Sequence, residues 1–247
     1  MFSTSIAHDD GVCPPVWDII LGRGGDGMIL ERARFDVARY GKIMSEKGLV
    51  TGTGGNLSVR EGDLVAISPS AVDYSLIMPE DVVVTDMKGV VVEGRLKPSS
   101  EIPLHLAVYG SRQDVLSVVH THSPKACVMA CLGWEIPVFH YLVALAGKKV
   151  PVAPYALFGT DGLARNVVDS LGEEKAVLMA NHGLLAVGKD LPEAFRLAET
   201  VEVVAGIYGS VKSLGEPKLL TEAETEALAR AFAEYDSVSR GNKPGRI

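Results

Sequence analysis

Four side chains have the types and spacing expected of a metal site, and two of them are His120 and His122. Residues 118–122 are β-branched and apolar up to these histidines, which predicts a strand whose side chains alternate between its faces. His120 and His122 then point to the same side, where both imidazoles can reach one tetrahedral ion at about 2.0 to 2.1 Å. His182 supplies a third ligand, because it follows an apolar strand in an Asn-His-Gly turn. For the pair alone, two polar strand residues are the alternative interpretation.

The fourth side chain is Glu101, which ends a Pro-Ser-Ser-Glu run. Ser99 and Ser100 are expected to cap a helix, so that Glu101 falls in its first turn. A glutamate there also complements the helix dipole, and this is the alternative to metal binding. His105 lies one turn further on, where it is either a buried core residue or a support for the metal ligands.

A glycine-rich loop at residues 51–56 is predicted to bind phosphate through its backbone. Successive amides in a turn that glycine permits form a concave site for anionic oxygens. The start of the expected helix at residue 99 offers a second anion site, where the helix dipole contributes positive charge. An ordinary turn is the alternative for the loop. The side chains expected to add donors are Asn56, Ser58, Ser68, Ser70, Ser99 and Ser100.

Hydrophobic periodicity predicts the helices and strands that must position these groups. Adjacent short strands at 82–85 and 90–93 flank a turn at Lys88 and Gly89, which predicts antiparallel pairing. The mixture predicts an α/β fold with three layers, in which helices cover both faces of a central, mainly antiparallel sheet. Helices are expected near 29–47, 100–109, 124–132, 162–171, 191–211 and 221–235, and further strands at 115–122, 176–180 and 184–187.

The chain of 247 residues is 47% hydrophobic, which is enough for a substantial core. We expect one domain at 28–236, between an N-terminal appendage rich in Gly and Pro at 1–27 and a flexible tail at 237–247. The net charge of −7 is spread along the chain, which argues against nucleic acid or an anionic membrane as partners. No apolar run is long enough to span a membrane. Three cysteines without paired spacing fit a cytoplasmic location.

Seven motifs together resemble the class II aldolase and adducin head family, and most closely its fuculose-1-phosphate aldolase branch. The resemblance extends over about residues 29–215, and so many motifs in the family's order are not expected by chance. The motifs are Gly-Gly-Asn-Leu-Ser at 54–58, Ser-Pro-Ser at 68–70, Pro-Ser-Ser-Glu at 98–101, Val-His-Thr-His at 119–122, His-Tyr at 140–141, Tyr-Ala-Leu-Phe-Gly-Thr at 155–160 and Asn-His-Gly at 181–183.

The resemblance implies a zinc-dependent aldolase that cleaves a ketose 1-phosphate reversibly into dihydroxyacetone phosphate and an aldehyde. It implies one zinc ion per subunit, bound by His120, His122, His182 and Glu101, with Glu101 also acting as general base. It further implies a homotetramer with active sites at subunit contacts, in which Tyr141 of a neighbouring copy donates a proton. The residues implied to bind the substrate phosphate are Thr53, Gly55, Asn56, Ser70, Ala71, Ser99 and Ser100.

The variety within this family leaves alternatives open. Relatives on the same scaffold include an epimerase, a dehydratase and decarboxylases of sugar phosphates, although the epimerase typically has aspartate at the Glu101 position. A non-catalytic, adducin-like interaction module is a further alternative, although such heads lack the complete metal set. Ala71 stands where this branch usually carries glycine, which puts one phosphate contact in doubt. The apolar residues at 141–143 favour a deoxy or methylthio aldehyde, released from 5-deoxyribulose or 5-methylthioribulose 1-phosphate.

Overall fold

The computed structural model describes residues 27–241, with side chains described as far as residue 235. Residues 1–26 of the expected appendage and residues 242–247 of the expected tail lie outside the described residues. Within the described part of the chain, no helix combines the length and apolar character that a membrane crossing requires.

A sheet of eight strands forms the middle of the fold. The ten strands of the described residues are β1 (Asn56–Glu61), β2 (Leu64–Ile67), β3 (Val83–Asp86), β4 (Val91–Glu93), β5 (Ser117–Thr121), β6 (Ile136–Pro137), β7 (Lys149–Val150), β8 (Val152–Ala153), β9 (Ala176–Met179) and β10 (Gly183–Gly188). The sheet has the order β4-β3-β2-β1-β5-β10-β9-β8, while β6 and β7 pair separately. Neighbours are antiparallel except β8 and β9. The predicted antiparallel character of the sheet is therefore confirmed.

Helices cover both faces of this sheet and complete the three predicted layers. They are α1 (Glu31–Glu46), α2 (Ile102–Ser111), α3 (Pro124–Leu132), α4 (Asp161–Leu171), α5 (Leu191–Leu214) and α6 (Glu222–Gly241). Buried residues of α1, α3 and α5 form one apolar core with the sheet, and buried residues of α2 and α4 form a second core on the other face. A short 3₁₀ helix, Tyr141–Leu145, packs at the edge of the first core.

Side chains of β5 point alternately to the two faces of the sheet, so this one strand contributes to both cores and to the predicted site. Val119 belongs to the core under α1, α3 and α5, whereas Val118 belongs to the core under α2 and α4. Because side-chain direction reverses at each strand residue, His120 shares the face of Val118. This face is covered by α2, whose N-terminal residue follows Glu101 directly. The strand period therefore brings the histidine towards the glutamate.

The structure differs from expectation at the ends of two helices. Glu101 is the N-cap of α2, and Ile102 is its first residue, so the glutamate precedes the first turn rather than lying in it. The Ser99 hydroxyl still supports this junction, because it accepts a hydrogen bond of 3.2 Å from the Glu101 amide. At the other end of the chain, α6 continues to Gly241, six residues beyond its expected end near residue 235.

Candidate active site

The three predicted histidines meet at one end of the sheet. His120 lies in β5, His122 follows that strand, and His182 lies in the turn between β9 and β10. Their ring centroids are 4.8 to 5.1 Å apart, and one ring nitrogen from each lies within 4.8 Å of the others. Asn181 adopts a φ of 55° in the left-handed region, which an asparagine tolerates in a tight turn. The three histidines are therefore close enough to share one ion.

The protonation of these histidines suits a bound cation. Nδ1 of His120 lies 2.9 Å from the carbonyl oxygen of Leu184 and donates to it, so Nε2 is the nitrogen that faces the other histidines. That Nε2 faces Nε2 of His122 at 3.0 Å. Burial, reinforced by the neighbouring histidines, lowers the pKa of His122 and of His182 to about 4. Neutral imidazoles held by outer hydrogen bonds are the form in which histidine binds zinc.

Glu101 reaches the same cluster from the start of α2. Its Oε2 lies 3.2 Å from Nε2 of His120, and its Oε1 lies 3.6 Å from Nε2 of His182. Burial by itself raises the pKa of Glu101, but His120, His182 and the side-chain amide of Asn56 together hold that pKa well below its usual range. Among the described residues, Oε1 is buried without a hydrogen-bond partner. An ionised carboxylate with one free oxygen suits a cation or a substrate proton, because a buried polar atom needs a partner.

Three glycines allow the backbone to approach the histidines closely. A Cβ on Gly54 would lie 2.7 Å from Nδ1 of His122, and a Cβ on Gly55 would lie 2.7 Å from the carbonyl oxygen of His120. Gly55 also has a φ of 70°, which favours glycine. A Cβ on Gly183 would lie 3.1 Å from His122 and 3.2 Å from His120. The glycine-rich loop therefore packs against the histidine cluster, a role that its sequence did not indicate.

The predicted phosphate turns come together beside this cluster. Tyr74, which sequence patterns did not single out, donates from its hydroxyl to the carbonyl oxygen of Gly55 at 2.9 Å, and the same hydroxyl lies 3.2 Å from Oγ of Ser68. Residues 68–70 pair with residues 97–99 through two backbone hydrogen bonds of 2.9 and 3.0 Å. The predicted phosphate-binding residues that remain at least partly accessible are Thr53, Gly55, Ser70, Ala71 and Ser100.

The other polar residues predicted to bind phosphate are buried and make hydrogen bonds inside the fold. Asn56 is 4% exposed and donates from Nδ2 to Glu101 at 2.8 Å. Ser58 is fully buried and contacts His105. Ser99 donates from its amide to the backbone of residue 68, so that amide is not available to an anion. The reason is strand direction: Asn56 and Ser58 lie on the face of β1 that α2 covers. Ser68 is likewise buried and accepts from the backbone amide of residue 57.

Tyr141 lies on the surface, in the first residue of the 3₁₀ helix, and is half exposed. Its ring stacks on Phe232 of α6 at a centroid distance of 6.1 Å and lies 4.8 Å from the ring of His140. The ring contacts of Tyr141 are thus with α6 and His140, and about half of the residue remains exposed.

Comparisons with known proteins agree with this geometry. Residues 35–208 match the family described as Class II Aldolase and Adducin N-terminal domain, whose aldolases are metal-dependent. A 5-deoxy-D-ribulose 1-phosphate aldolase of Bacillus thuringiensis is 49% identical, over 84% of this chain and 99% of its own. A 5-methylthioribulose-1-phosphate/5-deoxyribulose-1-phosphate aldolase of Rhodospirillum rubrum is 40% identical, over 85% and 94% of the two chains.

The fold is also found among solved structures. An L-fuculose 1-phosphate aldolase superposes with a TM-score of 0.82 at 43% identity, covering 85% of this chain and 100% of its own. The matched family region, residues 35–208, contains the three histidines, Glu101 and the glycine-rich loop. The chain therefore belongs to the class II aldolase and adducin N-terminal domain family, as a sugar-phosphate aldolase.

Proposed function

We propose that this chain is a zinc-dependent aldolase that cleaves a ketose 1-phosphate reversibly into dihydroxyacetone phosphate and an aldehyde. One observation carries the proposal: three histidine side chains and the Oε1 of Glu101, which has no hydrogen-bond partner among the described residues, converge in a partly buried cluster. The ligands would be His120, His122, His182 and Glu101. Zinc bound there would supply a Lewis acid that polarises the carbonyl and hydroxyl oxygens of the substrate.

Glu101 is the proposed general base. In the condensation direction Glu101 leaves the metal and takes a carbon-bound proton from dihydroxyacetone phosphate at Oε1, while Oε2 stays hydrogen-bonded to Asn56. The lowered pKa of Glu101 keeps the carboxylate ionised at neutral pH, so the base is present before substrate arrives. A positioned base of this kind contributes roughly 100- to 10,000-fold to the rate. Cleavage uses the same group in reverse, with protonated Glu101 returning the proton to carbon.

The substrate phosphate is proposed to bind at the accessible donors next to this cluster. Thr53, Ser70 and Ser100 offer hydroxyl groups, and Gly55 and Ala71 offer backbone amides in left-handed turns. Backbone amides in such turns form concave sites for anionic oxygens. Asn56 and Ser99 would then support the cluster from inside the fold, as their hydrogen bonds to the side chain and the amide of Glu101 indicate.

Tyr141 is proposed to act in the site of a neighbouring subunit, within a homotetramer. The exposed phenol at the start of the 3₁₀ helix supports this proposal, because its contacts within its own chain lie with α6 and His140. In condensation, the phenol of Tyr141 donates its proton to the aldehyde oxygen, and in cleavage the phenolate form of Tyr141 takes the hydroxyl proton of the ketose as the aldehyde forms. We also propose a cytoplasmic location, where Cys127 and Cys131, both free thiols, stay reduced.

For the aldehyde half of the substrate we propose an apolar end, as in 5-deoxyribulose or 5-methylthioribulose 1-phosphate. Of the two apolar residues that follow Tyr141, Leu142 is partly exposed, whereas Val143 is buried in the first core. The names of the two Bacillus and Rhodospirillum relatives point the same way. An apolar pocket discriminates between substrates that differ by a methylene or a hydroxyl by about 10- to 200-fold, which sets the preference to expect over fuculose 1-phosphate.

The test is release of dihydroxyacetone phosphate from 5-deoxyribulose, 5-methylthioribulose and fuculose 1-phosphates, before chelation, after chelation and after zinc is returned. We expect release from at least one of the first two, lost with chelator and restored by zinc. Equal kcat/KM for all three sugars would remove the proposed preference. No release from any of them by zinc-loaded protein would favour decarboxylase or dehydratase chemistry on the same scaffold.

A further inference from the structure

A buried chain of polar side chains leads from the sheet to Glu101. The Tyr109 hydroxyl lies 2.6 Å from Oγ of Ser58, which lies 2.6 Å from Nδ1 of His105. Nε2 of His105 lies 2.5 Å from Oδ1 of Asn56, and Nδ2 of Asn56 lies 2.8 Å from Oε2 of Glu101. Apart from Asn56, which is 4% exposed, and Glu101, which is 5% exposed, the members are fully buried.

The carboxylate at the end of the chain determines the direction of every hydrogen bond in it. An ionised carboxylate can accept but cannot donate, so Asn56 must present its amide nitrogen to Glu101 and its carbonyl oxygen to His105. His105 must then donate from Nε2, and its Nδ1 must accept the hydroxyl proton of Ser58. The oxygen of Ser58 accepts in turn from Tyr109, whose phenol oxygen is also hydrogen-bonded by the backbone of Val118.

This series of hydrogen-bonded side chains is unsuited to carrying a proton away from Glu101. Burial lowers the pKa of His105 to about 3 and raises that of Tyr109, so neither group changes charge near neutral pH. The chain ends at the backbone of Val118 within β5 rather than at solvent. The series does determine which oxygen of Glu101 accepts a hydrogen bond. Oε2 accepts from Asn56, and Oε1 has no hydrogen-bond partner among the described residues.

We propose that His105 is a positioning residue: as the Nε2–H tautomer it orients the amide of Asn56, which holds Oε2 of Glu101 and leaves Oε1 to the substrate. This inference depends on the proposed function for its kinetic consequence. An Asn56 amide turned by 180° would place Oδ1 against the carboxylate, and two acceptors repel. Glu101 would then lose its support, and misplacement of a reacting group by about 1 Å can cost 100-fold in rate.

The first test is independent of catalysis. Protein labelled with ¹⁵N at histidine is examined by NMR in its zinc-loaded form between pH 5 and pH 8. The nitrogen shifts of His105, assigned by comparison with the His105→Gln variant, should report a neutral ring protonated at Nε2 throughout this range. A ring protonated at Nδ1, or at both nitrogens, would overturn the proposal whatever the activity.

The second test is exchange of a carbon-bound hydrogen of dihydroxyacetone phosphate with deuterated water, a readout of the base alone. In His105→Leu we expect kcat for exchange to fall about 100-fold with KM nearly unchanged. In His105→Gln the side-chain amide nitrogen can donate to Oδ1 of Asn56. We therefore expect kcat for exchange in this variant to be at least tenfold higher than in His105→Leu. Equal rates in the two variants would assign His105 a purely structural role.

Ser58→Ala removes the donor to Nδ1 of His105 and is expected to lower kcat for exchange about tenfold. Loss of a group that supports a reacting side chain typically costs about 10- to 100-fold, and this value is at the low end of that range. Ser117→Ala is its matched control, because Ser117 is an equally buried serine in β5 whose hydroxyl has no partner. The control should exchange at the wild-type rate, and an equal loss in both variants would contradict the proposal. Wild-type protein with the predicted tautomer but no exchange would overturn the proposed function while supporting the orientation of Asn56.

Discussion

Replacing Gly183 with alanine tests how closely the backbone confines the histidines. A Cβ at this position would overlap the carbonyl oxygen of Thr121 and would lie 3.1 Å from Cδ2 of His122 and 3.2 Å from Cε1 of His120. The oxygen belongs to the backbone of β5, which pairs with β10 one residue further on, at Leu184. It cannot rotate away as a side chain can, so the two strands must separate or the histidines must move.

The size of the effect follows from that geometry. A Cβ contact shorter than 3.0 Å is essentially never observed, so β10 must shift by several tenths of an ångström. Overpacking of this kind costs about 1 to 3 kcal/mol of the free energy of unfolding. We expect zinc affinity to fall about 10- to 100-fold, as it does when groups that orient metal ligands are changed. Turnover should fall by about 100-fold, because the substrate is held less well aligned.

The assay is competition between the Gly183→Ala variant and a chromophoric chelator for zinc, combined with denaturant unfolding of the zinc-free protein. Gly110→Ala is the control, since Gly110 lies in α2 and an added Cβ there would meet nothing within 4 Å. An alanine in a helix is stabilising by up to about 1 kcal/mol relative to glycine, so this variant should bind zinc normally. Wild-type zinc affinity in Gly183→Ala would refute the argument from close packing.

Three further changes test separate parts of the structure. Ala71→Gly should raise the free energy of unfolding by up to about 1 kcal/mol in denaturant titrations, because Ala71 has a φ of 58° that glycine adopts without strain; a loss of stability would contradict this. His105 has a folded pKa of about 3, below its usual 6.5, so the unfolded chain binds the extra proton. The free energy of unfolding should therefore fall by up to about 1.4 kcal/mol per pH unit as the pH drops below 6.5 towards 3. In His105→Gln this contribution should be missing, and wild-type and variant curves of unfolding free energy against pH that run parallel would refute it. Tyr74→Phe should lower the free energy of unfolding by about 1 to 3 kcal/mol and raise KM more than it lowers kcat, because Gly55 loses its hydrogen bond beside the phosphate turns. An unchanged KM would contradict this.

Much of the histidine cluster could be predicted from the sequence because it depends on local periods. The alternation of a short strand puts His120 and His122 on one face, and the Asn-His-Gly turn exposes His182 at a strand end. The same reasoning indicated the layers of the fold, since apolar residues at strand and helix periods specify which faces are buried.

The partners of Asn56 and Ser58 could not be predicted in this way. Both residues follow the glycine-rich loop, and alone they look like donors for an anion. Their burial depends on the pairing of Asn56 with His120 across β1 and β5 and on the packing of α2 over that face, which are long-range features. The closeness of Gly54 to His122 is likewise a tertiary contact between residues distant in sequence.

The most direct measurement of the central claim compares zinc content and dihydroxyacetone phosphate release in the same preparations of wild-type protein and Glu101→Gln. We predict that the variant retains zinc at least in part, because His120, His122 and His182 remain, and that turnover falls by at least about 100-fold with loss of the base. Wild-type turnover in Glu101→Gln, or full turnover in protein without metal, would contradict the account.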